Sequence, residues 1–252
     1  MARILAVHAH PDDIEILAGG TLALLSGQGH AVTIATATAG EGGSAVHDPA
    51  QTGAIRQAEA AAAAALIGAD YLCLGFADLG VFNDDPSRRA VTELIRRVRP
   101  DLVITASPID YHPDHEAISL LARDACFAAP VANYRTGTSQ ALDHIPALYF
   151  MDSIGGRDRD GVRIPRHFTV DVGATFSTKP AMLAQHRSQA DWVAKQHGIV
   201  DHLADMVAWT RRVGRDAGVE YAEGFRQYRH PPYPKTPVLQ DLLGAVVLQQ
   251  ER

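Results

Sequence analysis

Short apolar runs alternate with longer amphipathic stretches through the first half of the chain. Arg3 to Val7, Ala31 to Ala37, Tyr71 to Leu74 and Leu102 to Ala106 are compact runs rich in Val, Ile, Leu and Thr. Such runs predict strands buried on both faces. Between and after them, Asp13 to Ser26, Ala54 to Ile67, Ser87 to Val98 and Pro113 to Ala128 predict helices. The first three are closed by Gly27 and Gly29, by Gly68 and by Pro100, residues that end helices. Strand and helix in strict alternation predict an α/β fold with a mostly parallel central sheet covered on both faces. In such sheets ligands bind beyond the carboxyl ends of the strands.

The second half is less regular. Ala147 to Met151 and Phe168 to Val172 predict strands, and Thr178 to Val193 and His202 to Asp216 predict helices. Pro231, Pro232, Pro234 and Pro237 mark an extended segment before a last apolar helix. Neither an internal repeat nor a linker divides the chain, so residues 1–252 read as a single domain.

Composition narrows the function. Of 252 residues, 46% are apolar and 21% charged, which supports a full core. The net charge is −6, and no basic cluster exceeds pairs such as Arg96-Arg97, so no nucleic-acid partner is expected. No stretch approaches the ~18 apolar residues of a membrane span. The N-terminal residues lack the apolar core of a secretion signal, and the expected location is cytoplasmic. Cys73 and Cys126 each sit in an apolar run and read as small buried side chains.

The chemistry is carried by two motifs, Ala9-His10-Pro11-Asp12-Asp13 and Tyr111-His112-Pro113-Asp114-His115. Each follows a predicted strand and opens a predicted helix. Proline pushes the residue before it out of the helical region and itself suits the first helical position. Each motif thus places a His near the helix cap and polar side chains in the first turn. Aspartates there are also common as plain caps, but two such triplets after two buried strands are hard to explain that way. Both strand ends open on one rim of a parallel sheet, so the triplets can converge. His10, Asp13 and His115 would give two imidazoles and one carboxylate, leaving a position open as catalytic zinc requires. The same donors suit Fe2+ or another divalent metal.

These motifs, with Glu15, resemble those of the LmbE-like, PIG-L-type N-acetylglucosaminyl deacetylases, whose members include the deacetylases of mycothiol and bacillithiol biosynthesis. Further likeness lies in Thr38-Ala-Gly-Glu41, in Arg56 with Glu59 and Ala60, in Gly68, and in Lys179 through His186, Ser188 and Gln189. The likeness covers roughly residues 1–192. It implies a Rossmann-like three-layer sandwich and removal of an acetyl group from an N-acetylated amino sugar. It implies Zn2+ on His10, Asp13 and His115, Asp12 as general base, and His112 as electrophilic or acid partner. A helix N-terminus disfavours a charged imidazole, so His112 as a cation would need a carboxylate. Asp114, by the likeness, or Asp110 would supply it. The likeness also implies a homo-oligomer, trimer or hexamer.

Sugar recognition is expected from Arg56, as in mycothiol-type relatives, and from Asp78 and Glu41 on the same rim. Glu15 and His186 are candidates for a supporting role around the motifs. His8, His30, His47, His144, His167, His197, His202 and His230 lack a defensible pairing and read as structural. The loop Gly40-Glu-Gly-Gly lacks a dinucleotide fingerprint. The rival readings are a metal-dependent amidase acting on another conjugate and a non-catalytic carbohydrate-binding relative. The retained Asp12 speaks against the latter, because binding alone needs no free carboxylate beside the ligands.

Overall fold

The structure is a computed structural model; it describes residues 1–190, 192–193, 198 and 201–249. The expected alternation is present. Strands β1 (Arg3–His8), β2 (Ala31–Thr38), β3 (Asp70–Phe76), β4 (Leu102–Thr105) and β5 (Ala147–Met151) interleave with helices α1 (Asp13–Gly27), α2 (Pro49–Ala65), α3 (Asp85–Val98) and α4 (Pro113–Ala128). These five strands pair in parallel, in the order β3-β2-β1-β4-β5. The sheet continues with antiparallel β7 (Ala222–Gln227), β6 (Phe168–Asp171) and β8 (Val247–Gln249). The chain is therefore an α/β protein with a mostly parallel central sheet.

Strand alternation builds the two faces. On β1, Ile4 and Ala6 pack with Leu17, Leu22 and Leu25 of α1, whereas Leu5 and Val7 pack with Leu94 and Ile95 of α3 and Leu121 of α4. Successive strand side chains point to opposite faces, so one short apolar run feeds two cores. Each such fully buried Leu or Ile contributes roughly 1.5–3 kcal/mol.

Two helices begin earlier than the sequence predicts. Pro49 and Pro86 occupy the first turns of α2 and α3, and the Asp48 and Asp84 carboxylates accept from Gln51 N and Ser87 N, a cap that moves the start N-terminal to the apolar pattern. The helix expected from Thr178 to Val193 is interrupted: α5 (Thr178–Leu183) gives way to turns through Ser188, and Gln189, Ala190, Trp192 and Val193 are helical again. There Ser188 N and Oγ donate to Glu59 at 2.9 and 2.6 Å, which pulls the chain off the helical path. The last apolar segment is helical only over α7 (Val238–Leu243). Gly244, at φ 61°, breaks it, and Val247 to Gln249 pair with β6 instead. Helix α6 (His202–Ala217) agrees with expectation. Among the described residues, no helix is long and apolar enough to cross a membrane.

Strand order reverses direction at β1: β2 lies on one side and β4 on the other. A crevice opens at such a switch point, and the two motifs are the segments that leave β1 and β4.

Candidate metal centre and active site

The segment after β1 turns sharply. Asp12 stands at φ 99° with no side-chain cap bond, in a region that costs a non-glycine residue about 1–3 kcal/mol and that clusters at functional sites. The turn sends Asp13 back beneath the strand end. Its Oδ2 accepts from His10 N at 2.8 Å and lies 2.6 Å from His8 Nδ1. After β4, His112 is extended at φ −98° and ψ 129°, and its Nδ1 accepts from Asp114 N, as a residue before proline should. His115 follows one turn into α4.

The two motifs meet. His10 Nδ1 lies 3.2 Å from His115 Nε2 and 3.3 Å from Asp13 Oδ2, and His115 Nε2 lies 3.4 Å from the same oxygen. These three donor atoms form a nearly equilateral triangle. An edge of ~3.3 Å is what a tetrahedral ion requires when its ligands lie ~2.0–2.1 Å away. Behind the triangle, His10 Nε2 faces Asp78 at 3.1 Å and Asp114 at 3.4 Å, and His115 Nδ1 faces Asp110 at 3.2 Å. A carboxylate behind each imidazole is the usual support of metal-binding histidines. Both of those ring nitrogens are buried and within ion-pair distance, but not aligned as hydrogen bonds. The donor set fits a divalent cation with an open position. Other groupings here, including His8 with Asp13 and His115, also bring donors within reach of one another.

The electrostatics agree. Burial would raise the Asp13 pKa, but His115, His8 and His10 hold it well below the usual carboxylate range. Burial would lower the His10 pKa, but Asp114, Asp13 and Asp78 raise it well above an ordinary imidazole. His115 is likewise raised, against burial, by Asp13 and Asp110. Asp12, Asp13, Asp78, Asp110 and Asp114 thus gather around these rings, and the pocket attracts positive charge.

Asp12 stays apart from the triangle. Burial raises its pKa, Arg56 pulls it down, and the Asp13 charge pushes it up again; the balance is a raised value. A carboxylate raised in this way is a stronger proton acceptor than an ordinary one. Arg56 Nη2 donates to Pro11 O at 2.7 Å and to Asp12 Oδ2 at 3.3 Å, and Nη1 donates to Gly40 O at 2.9 Å. It clamps the loops after β1 and β2. A Cβ at Gly40 or Gly43 would meet the guanidinium at 2.1 or 2.7 Å, so only glycine lets the loop lie against it.

His112 is lowered by burial and by the His10 and His115 charges. With Nδ1 accepting from a backbone N–H, the neutral ring carries its proton on Nε2. This relieves the tension between His112 and its helix N-terminus, since a neutral imidazole can still donate. The Asp114 carboxylate accepts from Leu79 N at 2.8 Å and Val81 N at 3.3 Å; its backbone N–H, not its carboxylate, bonds His112. Asp110 accepts from Tyr111 N and Ile154 N and so ties the loops after β4 and β5 together.

The remaining expected residues cluster around this centre. Asp78 accepts from Gly42 N at 3.0 Å, and Glu41 accepts from Asp78 N at 2.7 Å, locking the loops after β2 and β3. Arg56 and Asp78 line the cavity over the triangle. Glu15 and His186 are buried 3.3 Å apart, beneath the first motif. His8, read as structural, lies on Asp13 instead. Positions two apart in a strand share a face, so the spacing of His8 and His10 was the signal that could have placed His8 near the motif. His197 lies outside the described residues.

Comparison with known proteins adds to this geometry. Residues 5–126 match the family described as PIG-L, GlcNAc-PI de-N-acetylase. A 1D-myo-inositol 2-acetamido-2-deoxy-alpha-D-glucopyranoside deacetylase of Corynebacterium glutamicum is 34% identical over 225 residues, 77% of this chain and 76% of the relative. The chain belongs to the PIG-L family. A Corynebacterium diphtheriae protein of the same name is 36% identical over 141 residues, covering 45% of this chain and 48% of that protein. In several such alignments the chain spans about half the length of the curated relative. Among solved structures, conserved protein TT1542 of Thermus thermophilus shares 28% identity at a TM-score of 0.74, covering 94% of this chain and all of that one. An N,N'-diacetylchitobiose deacetylase of Pyrococcus horikoshii (24% identity, TM-score 0.75, coverage 93% and 88%) and a 4-carboxy-2-hydroxymuconate hydratase of Pseudomonas putida (23%, 0.72, coverage 93% and 99%) share the PIG-L fold. That fold alone therefore does not choose between hydrolysis and hydration.

Proposed function

We propose that this protein is a zinc-dependent N-deacetylase that hydrolyses the acetamide of an N-acetylated amino sugar. The observation that carries the reading is the nearly equilateral His10–Asp13–His115 triangle with the Asp12 carboxylate outside it, held by Arg56. The PIG-L membership and the names of the Corynebacterium relatives support the substrate class.

His10, Asp13 and His115 would hold the cation, which when bound supplies Lewis acidity and lowers the pKa of water. The Asp12 carboxylate takes a proton from the attacking water as its oxygen bonds to the acetyl carbon. His112 Nε2–H donates to the carbonyl oxygen as charge builds there, a preorganised contribution of the kind that dominates many enzymes. The C–N bond then breaks, Asp12 returns its proton to the departing amine, and acetate and a free amino sugar result. Arg56 keeps Asp12 ionised and in place, and Asp110 and Asp114 hold the loops that carry His112 and His115.

The test is acetate release, with product mass, from N-acetylglucosamine conjugates by zinc-loaded protein. Asp12→Asn should lower kcat about 10²–10⁴-fold at unchanged zinc content. A product lacking the free amine, or full activity in Asp12→Asn, contradicts the reading.

A further inference from the structure

The cavity above the triangle is larger than an amino sugar needs. Its volume is about 950 Å³, at the upper end of the roughly 300–1,000 Å³ of small-molecule sites. Most of its polar residues gather at two places. One is the floor, where Asp12, Asp78, His112 and Arg56 surround the triangle. The other is the outer rim on α6, where Asp205, Arg212 and Arg215 are exposed. Between them the wall is mostly apolar: Ile16 and Leu17 from α1, Ile154 after β5, Met206 and Trp209 from α6, and Trp192, with Gln189 and His202 as its polar members. Met206 and Trp209 fall on one face of α6 at helical spacing.

Trp209 is a built wall, not an incidental surface residue. A Cβ at Gly156 would lie 2.5 Å from the indole, so glycine there lets the ring lie against the loop after β5. The guanidinium of Arg212 stands 4.4 Å over the same ring and donates to Gly155 O. The indole is braced from both the loop and its own helix. The mouth adds two large exposed side chains, Leu79 and Tyr111, on the loops that Asp114 and Asp110 secure.

The geometry points to an amino sugar whose attached group is apolar or aromatic, seated against Trp209, Met206 and Leu17. This rests on the deacetylase reading above. It departs from the polyol named for the Corynebacterium relatives. A cyclitol seated against Trp209, Met206 and Leu17 would bury much of its hydroxylated surface on side chains that are mostly apolar, a placement that costs affinity. An aryl or alkyl group gains by the same contact, because aromatic walls contribute through buried area and ring stacking.

The experiment compares three substrates on zinc-loaded protein: N-acetylglucosamine, its α-linked inositol conjugate and its α-benzyl glycoside. Acetate release gives kcat/KM. Quenching of tryptophan emission gives binding independently of turnover, since the chain's two tryptophans both line the cavity. The benzyl glycoside should exceed the inositol conjugate at least tenfold in both. Trp209→Ala should bring that ratio close to one, and Trp209→Phe, which keeps an aromatic face, should retain most of it; thermal melts check that both variants fold. Equal or better use of the inositol conjugate, with acetate released, overturns the aglycone assignment and leaves the deacetylase reading standing. A preference unchanged in a folded Trp209→Ala also overturns it. Absence of acetate from all three substrates while the benzyl compound still quenches overturns the deacetylase reading, and the assignment of that group as an aglycone falls with it.

Discussion

Replacing Arg56 by Met separates its effect on Asp12, the proposed general base, from any direct contact with sugar. The side chain is almost fully buried and donates to Pro11 O, Gly40 O and Asp12 Oδ2. Its removal leaves a largely buried carboxylate without its cation and two carbonyls without their donor. Breaking a buried ion pair on one side costs about 3–5 kcal/mol, and the lost charged hydrogen bonds fall within that figure because they share the same donors. Arg56→Lys keeps the charge, but one ammonium cannot span three acceptors; the loss should be nearer ~1.5–3 kcal/mol, the worth of one charge-assisted bond. Urea unfolding at constant m-value reads both. The pH–rate profile gives the second readout. Asp12 accepts a proton only when ionised, so activity falls as pH drops through its pKa. Arg56 holds that pKa down against burial; Arg56→Met must therefore move the acidic limb to higher pH, and Arg56→Lys should leave it close to the parent. An unmoved limb in Arg56→Met, or a stability loss below about 1 kcal/mol, would refute the reasoning.

Two further outcomes follow from buried pairs around the site. Lys179 Nζ lies 2.5 Å from Glu223 Oε1, both fully buried, and Glu223 also accepts from Gly20 N and Thr21 N of α1. Lys179→Met should cost about 3–5 kcal/mol in chemical denaturation, with part recovered in Lys179→Met/Glu223→Gln; a change within ~0.5 kcal/mol contradicts this. Burial lowers the His186 pKa, but the Glu15 carboxylate and Asp12 raise it above the ordinary imidazole value of about 6.5. A raised histidine contributes stability that is full below the unfolded pKa and is lost as pH rises through the folded one. Melts from mild acid upward should show that decline, and Glu15→Gln should flatten it; equal slopes in both proteins sink the assignment.

Much of the fold was legible because the strands that matter are buried on both faces and read as unbroken apolar runs. Helix α4 starts at Pro113 because proline and the extended residue before it fix that boundary locally. Strand β7 was not legible: Ala222 to Gln227 carries Glu223 and Gly224 inside the sheet, and Glu223 is there only because Lys179, distant in sequence, neutralises it. The segment from Val247 to Gln249 passed for helix because its partner β6 is a long-range neighbour that periodicity cannot see. At the site, the sequence shows which residues come together, since two His-Pro-Asp motifs on neighbouring strand ends converge. It does not show how the surrounding loops share donors. Arg56 and Asp78 line the cavity, yet they also spend hydrogen bonds on tying loops together, a double duty that spacing does not encode. His8 stands two residues before His10, the same-face spacing of a strand, and that spacing is the signal that links it to the motif.

The most direct test of the account is X-ray absorption at the zinc edge, on protein loaded with one equivalent of zinc and on its His10→Ala, Asp13→Ala and His115→Ala variants. The account predicts two imidazole nitrogens and one carboxylate oxygen at about 2.0–2.2 Å, completed by solvent, with one protein ligand missing in each variant and affinity reduced. A parent protein that takes up no zinc, or a spectrum unchanged in any of the three variants, would contradict it.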